Sequence, residues 1–216
     1  HFCRWLCKKY AHHAGEAGKT DTRTRCIELG SGTGLVGIVC GHLGIDTTLT
    51  DQTLDLCEEN ILLQPEEVRA NLRAKELVWG LTPIPEAEKY DLVMASDVIC
   101  HQDKSVMQVL VETIRSLIKT EEPSAVAYVA YEFRDDWWTC SSFCDLCKKY
   151  GFEMRSWSLE EDDEDSDFIL YELRLAADGV GRDCFAGADV TVDAGESGGG
   201  GGQGGSGADE RDENSA

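Results

Sequence analysis

Glu28-Leu-Gly-Ser-Gly-Thr-Gly34 is the stretch that decides the fold. It follows the short apolar run Arg25–Leu29, which reads as a strand, and leads into an apolar helix reaching about Leu43. Glycines at a strand-to-helix junction let the backbone turn tightly. They also let a ligand approach the main chain closely, with the helix N–H groups facing it. Gly32, Gly34 and Gly37 satisfy the spacing G-x-G-x-x-G, and Asp51 lies 19 residues beyond Gly32.

Outward from this junction the chain alternates strand and helix. Asp46–Thr50 is a β-branched strand ending at Asp51, and Leu54–Leu63 is helical with Pro65 just beyond it. Glu76–Trp79 reads as a brief strand, Asp91–Ser96 as a buried strand and Val106–Ile118 as an amphipathic helix. Ala125–Tyr131 is a strand, Asp136–Tyr150 a helix, and Phe152–Trp157 and Phe168–Arg174 are closing strands with no helix between them. Alternation of this kind predicts a doubly wound, mainly parallel α/β sheet. The closing pair predicts a hairpin, giving seven strands with the last inserted antiparallel.

Three segments follow: an N-terminal helix and loop (1–24) whose start reads as truncated, a domain over 25–175, and a tail over 176–216. The tail holds 12 of the 22 glycines and is expected to be disordered, because it has too little apolar surface to offset its ordering entropy. The formal net charge is -21, and from Ser158 onward 17 acidic residues face 3 basic ones. No basic stripe offers itself to nucleic-acid phosphates, so the expected partner is a protein with a basic surface. The run Glu160–Asp167 has seven carboxylates in eight positions and is a candidate for capturing a Lys-rich target. No apolar run approaches a membrane span. The ten cysteines sit mostly singly in apolar or helical runs, so the expected setting is cytoplasmic or nuclear. Cys140, Cys144 and Cys147 share one helix, but C-x-x-C supplies two ligands where zinc needs four, so no metal site is expected.

Two ligands compete for the glycine turn. A dinucleotide fits the spacing, yet Glu28 at the end of its strand would face a pyrophosphate unfavourably. S-adenosylmethionine carries a sulfonium and an ammonium and no phosphate, so an acidic residue there is useful. Asp51 can accept hydrogen bonds from ribose hydroxyls in either case. Trp79 is placed to stack on adenine or a ribose edge, or else to cap the core.

Glu28-Leu-Gly-Ser-Gly-Thr-Gly-Leu-Val-Gly-Ile-Val39, Thr48-Leu-Thr-Asp51, Val78-Trp-Gly80 and Tyr90-Asp-Leu-Val-Met-Ala-Ser-Asp-Val-Ile99 together resemble the seven-β-strand protein-lysine methyltransferases of family 16. The resemblance runs from about Arg25 to Arg174. It implies the Rossmann-like class I methyltransferase fold and S-adenosylmethionine as cofactor, contacted by Gly30, Ser31, Gly32, Asp51, Trp79 and Ser96. Members of that family methylate lysines on chaperones, translation elongation factors and other proteins. The family's Trp upstream of the glycine turn is not carried onto Trp5, whose neighbourhood aligns better with the helix after that Trp. The family's Asp-x-x-Tyr/Phe signature reads Asp97-Val-Ile-Cys100 here, a thiol standing for the aromatic.

Methyl transfer to an amine requires a neutral, aligned nucleophile. Free lysine, with a pKa of about 10.4, is only about 0.1% neutral near pH 7.4, and a dry channel corrects this by desolvation. Asp97 is the candidate catalytic residue, holding the ammonium and orienting the amine. Cys100, Tyr131 and Arg134 are expected to face the substrate, with Tyr131 or Phe133 supplying the missing aromatic wall. An alternative has Arg134 pairing with Asp135 or Asp136 on the surface. His101 at the site's edge is a lesser candidate for accepting a proton, and His12 and His13 read as loop residues. The expected activity is methylation of a protein lysine by a monomer. A small-molecule methyltransferase and a non-catalytic cofactor-binding module, kept open by Cys100, are the alternatives.

Overall fold

The computed structural model describes residues 1–11, 24–100, 102–134, 136–159 and 167–183. His12, His13, His101, Asp135, most of the acidic run (160–166) and the tail from 184 onward lie outside them. All described residues belong to one unit, His1–Ala186. Helix α1 (Phe2–Tyr10) precedes β1 (Arg25–Leu29), α2 (Leu35–His42), β2 (Asp46–Asp51), α3 (Asp55–Leu62), α4 (Glu66–Arg69) and β3 (Leu72–Glu76). There follow β4 (Leu92–Ser96), α5 (Lys104–Leu117), β5 (Val126–Glu132), α6 (Trp137–Lys149), β6 (Phe152–Ser158), β7 (Phe168–Leu175) and β8 (Arg182–Asp183).

The sheet order is β3-β2-β1-β4-β5-β7-β6-β8. Strands β1 to β5 pair in parallel, and β7 runs antiparallel between β5 and β6, as the missing helix before it requires. Two differences from expectation stand out. The third strand is Leu72–Glu76, and the Leu77-Val78-Trp79 run read as strand is the loop after it. Beyond Ala176 the chain was expected to lose structure; instead Ala176 is buried, and Arg182–Asp183 adds a two-residue eighth strand parallel to β6.

Period two along each strand sorts the side chains between two layers. Ile27 and Leu29 of β1, Val93 and Ala95 of β4 and Val129 of β5 face α5 and α6. Helix α5 meets them with Met107, Leu110, Val111, Ile114 and Leu117, the i, i+3, i+4, i+7 pattern of one buried face. Cys26 of β1, Met94 of β4 and Tyr128 of β5 face α1 and α2. Trp5 of α1 lies edge-on to Tyr128 at 4.8 Å, in this core layer. Among the described residues no helix is long and apolar enough to cross a membrane.

The same parity fixes Glu28. It shares the face of Cys26, so its side chain runs under α2, where Oε2 accepts a 2.8 Å hydrogen bond from the Gly37 N–H. A Cβ on Gly37 would lie 2.7 Å from that oxygen and 2.6 Å from Leu49 Cγ, so only glycine allows the helix this close to β1 and β2. Glu28 is 2% exposed, and burial, opposed in part by the Gly37 bond, pushes its carboxyl up to about 8. The consequence for stability has a definite sign. Between the ordinary value of 4.5 and about 8 the folded chain holds a proton that the unfolded chain has released. Raising the pH through that window therefore favours unfolding, by up to about 1.4 kcal/mol per pH unit from this group. Glu28→Gln keeps an acceptor for Gly37 and has nothing to titrate. Urea unfolding at about pH 5 and about pH 8 should show the wild type losing stability on this account and the variant losing less. Equal losses would show that Glu28 is ionised in the folded protein.

Candidate active site

The turn after β1 places three glycines in the left-handed region, with φ of 66° at Gly30, 53° at Gly32 and 79° at Gly34. Neighbouring strand ends hold it: Ser31 N–H donates to Thr50 O at 2.9 Å, and Gly32 N–H donates to Asp51 Oδ2 at 2.8 Å. Asp51 Oδ1 accepts from Gln52 N–H at 2.7 Å. Each carboxylate oxygen still has an open lone pair, so Asp51 can fasten the turn and accept from a ribose at the same time.

A cavity of about 430 Å³ opens here, lined by Gly30, Asp51, Val78, Trp79, Val98 and Val106 among others. Its size is that of a small-molecule site. Gly30 is needed on steric grounds as well, since a Cβ there would come within 2.8 Å of Val98 Cγ1 and 3.3 Å of the Trp79 ring. Trp79 is half-buried in the wall, reached by the loop rather than by a strand. The Gln52, Leu77, Val98, Val106 and Val109 side of the lining was not foreseen. The apolar run beginning at Leu77 was its signal, misread as strand.

The donor set fits S-adenosylmethionine. The lining offers the Asp51 carboxylate for ribose hydroxyls and an indole with valines for an adenine, and glycine at position 30 leaves no side chain against the indole. Glu28 does not join them. Expected to face the cofactor's ammonium, it is instead buried against Gly37, because strand parity turns it away from the cavity. Ser31 is also buried, and its Oγ has no well-formed hydrogen bond among the described residues. Among the described residues no group of three or more His, Cys, Asp or Glu is placed to hold a metal.

At the end of β4 consecutive residues serve different spaces. Val98 lines the large cavity, while Ser96 and Asp97 line a second one of about 140 Å³ together with Phe2, Tyr131, Glu132 and Phe168. Ser96, expected in the large cavity's lining, is thus on the other side of this turn. Asp97 has φ of 58°, the left-handed region that costs a non-glycine residue about 1–3 kcal/mol and that Asp tolerates better than most. Its N–H donates to Ala130 O at 2.8 Å, extending the β4–β5 pairing and fixing the turn. The Asp97 carboxylate receives Arg134 Nη1 on Oδ1 and Nη2 on Oδ2, both at 2.7 Å. Arg134 therefore pairs with Asp97 and also with Glu132; of the alternative partners, Asp135 lies outside the described residues.

Tyr131 is 2% exposed, and burial pushes its hydroxyl up to about 12, so it acts as a neutral wall. Cys100 is half-buried against the core of the α5–α6 layer. Phe133 is partly buried against the same layer and packs on Trp137 at 4.9 Å between ring centroids. Trp137 is 76% exposed and Trp138 54% exposed at the start of α6, a pair of solvent-facing indoles that the helical pattern alone did not single out.

The sequence pattern of a family described as lysine methyltransferase matches residues 1–147. Protein N-lysine methyltransferase METTL21A of Danio rerio is 37% identical over 116 residues, 50% of this chain and 47% of that protein. EEF1A lysine methyltransferase 3 of Mus musculus is 30% identical over 153 residues, 69% of this chain and 61% of that protein. The chain thus spans about half the length of the curated relatives it matches. A TehB-like SAM-dependent methyltransferase from Corynebacterium glutamicum superposes with a TM-score of 0.57 at 16% identity, over 80% of this chain and 95% of that one. The methyltransferase domain of bacterial-CtHen1-C gives 0.58 at 18% identity, over 81% and 98%. These two likenesses speak for the fold, the class I methyltransferase sheet. The family match takes in the glycine turn, Asp51 and the Asp97 edge, and by it the chain belongs to the lysine methyltransferase family.

Proposed function

We propose that this chain transfers a methyl group from S-adenosylmethionine to a lysine side chain of a protein. The observation that carries the reading is the turn after β4, where adjacent residues line the cofactor-sized cavity and a second cavity bearing a carboxylate. When bound, the cofactor supplies an electrophilic methyl group on a sulfonium. Gly30, Ser31, Gly32, Asp51 and Trp79 would hold it, with Asp51 and Trp79 directed to its nucleoside. Asp97 would receive the lysine ammonium and aim the amine across the turn. The apolar walls supplied by Phe2, Tyr131 and Phe168 would strip part of the water from that amine, and this desolvation lowers its pKa against the raising effect of the Asp97 carboxylate. The ammonium proton would pass to solvent at the exposed Asp97 edge before transfer, and alignment of the neutral amine is then the chain's contribution to the rate.

The acidic chain suits a substrate with a basic surface, and one relative is named for acting on EEF1A. A translation factor or a chaperone is therefore the proposed kind of target. The reading includes a cytoplasmic or nuclear setting, on the cysteine pattern, and an unstructured acidic tail, on the composition of residues 184–216.

Two variants test the division of labour. Asp51→Ala removes a charged acceptor, so calorimetry should show S-adenosylmethionine binding about ten- to a hundredfold weaker. Asp97→Asn should leave that affinity near the wild type's. It should cut transfer of labelled methyl into protein in a cell lysate by about a hundredfold or more. Label entering only small metabolites, or cofactor binding with no transfer, would overturn the protein-lysine reading.

A further inference from the structure

The Asp97 carboxylate is already occupied. Arg134 turns the Nη1–Nη2 edge of its guanidinium to it in the bidentate arrangement, with two bonds of 2.7 Å. The pair is not buried, for the side chains are 44% exposed at Asp97 and 32% at Arg134. A second set of acceptors stands ready on the other side of the same guanidinium. Nη2 also donates to Glu132 Oε2 at 2.8 Å, and Nη1 to the Glu132 carbonyl at 3.2 Å. Arg134 can leave Asp97 without losing a carboxylate partner. The Asp97 backbone, in contrast, is anchored at the end of β4 by its bond to the Ala130 carbonyl of β5.

We propose that Arg134 is a built-in stand-in for the substrate's cation, guarding Asp97 until an arriving lysine ammonium displaces it onto Glu132. The inference rests on the assignment of Asp97 to the substrate lysine. Among the described residues Asp97, Glu132 and Arg134 form a cluster of two carboxylates and one guanidinium, and the net negative charge of that cluster would draw a cation in. Exchange of one exposed ion pair for another is close to neutral, which is what a displaceable guard requires. A neutral side chain or a small anion would find the carboxylate shut. The guard therefore adds selectivity for cationic side chains at the expense of affinity.

The test measures binding of a blocked lysine pentapeptide by calorimetry in the presence of S-adenosylhomocysteine, together with KM and kcat on the labelled protein substrate. Arg134→Ala should tighten peptide binding about three- to fivefold and lower KM with kcat little changed. Arg134→Gln, which keeps the side chain's length, should do the same. Glu132→Gln, which keeps an oxygen acceptor but removes the alternative carboxylate charge, should weaken binding about two- to threefold. The gain from Arg134→Ala should vanish in an Asp97→Asn background. A drop in kcat with KM unchanged would show that Arg134 merely orients Asp97, and would overturn the guard. So would an equal gain from Arg73→Ala, which removes the same charge from the edge strand β3. If Asp97→Asn alone leaves peptide binding untouched, the assignment of Asp97 fails, and the guard with it.

Discussion

Three left-handed glycines within five residues would be a floppy hinge if left alone. Here the turn is fastened from three points: to the Thr50 carbonyl, to the Asp51 carboxylate, and through Glu28 to the first turn of α2. Everything at the C-terminal edge depends on that fastening. It holds the Gly30 backbone against Val98 and Trp79, so the cavity is bounded by main chain and an indole. It also sets α2 close on β1 and β2, which only glycine at position 37 permits. The two acids in this network do different work because their surroundings differ. Glu28 is sealed under the helix, where burial pushes its carboxyl up to about 8, whereas Asp51 reaches the cavity and can bind a ligand while it braces the turn.

Much of this was legible in the sequence. The alternation of elements and the missing helix before the last strand gave the sheet and its reversed β7, because connection length alone forbids a parallel return there. The third strand was not legible. Leu72-Arg-Ala-Lys-Glu76 is mostly composed of helix-favouring polar residues, tolerated because β3 is an edge strand paired on one side only. The apolar residues just after it looked more like a strand, yet their hydrophobicity serves the cavity.

The site shows the same division. Local motifs pointed to Gly30, Asp51 and Trp79, which line the large cavity, and to Asp97, which lines the smaller one, since these follow from strand ends and spacing. Direction was harder. Glu28 is read at the end of its strand as useful to a cationic cofactor, yet it is buried under α2, a direction that the parity of Cys26 and Glu28 against Ile27 and Leu29 carries. The Arg134–Asp97 pair joins residues 37 positions apart, brought together by β4 and β5 lying side by side. No local pattern records such a contact. The exposed Trp137 and Trp138 were hidden for the opposite reason, as aromatic residues in a helix are ordinarily read as core.

The most direct measurement is the map of amide chemical-shift changes when S-adenosylhomocysteine is titrated into the isotopically labelled chain. Changes concentrated at residues 30–34, at Asp51 and Gln52, over 77–80 and at Val98 would place the ligand on the fastened turn. Glu28 and the distant strand β6 should move little by comparison. Changes centred elsewhere, or none at saturating ligand, would contradict the assignment of this cavity and with it the methyl-transfer reading.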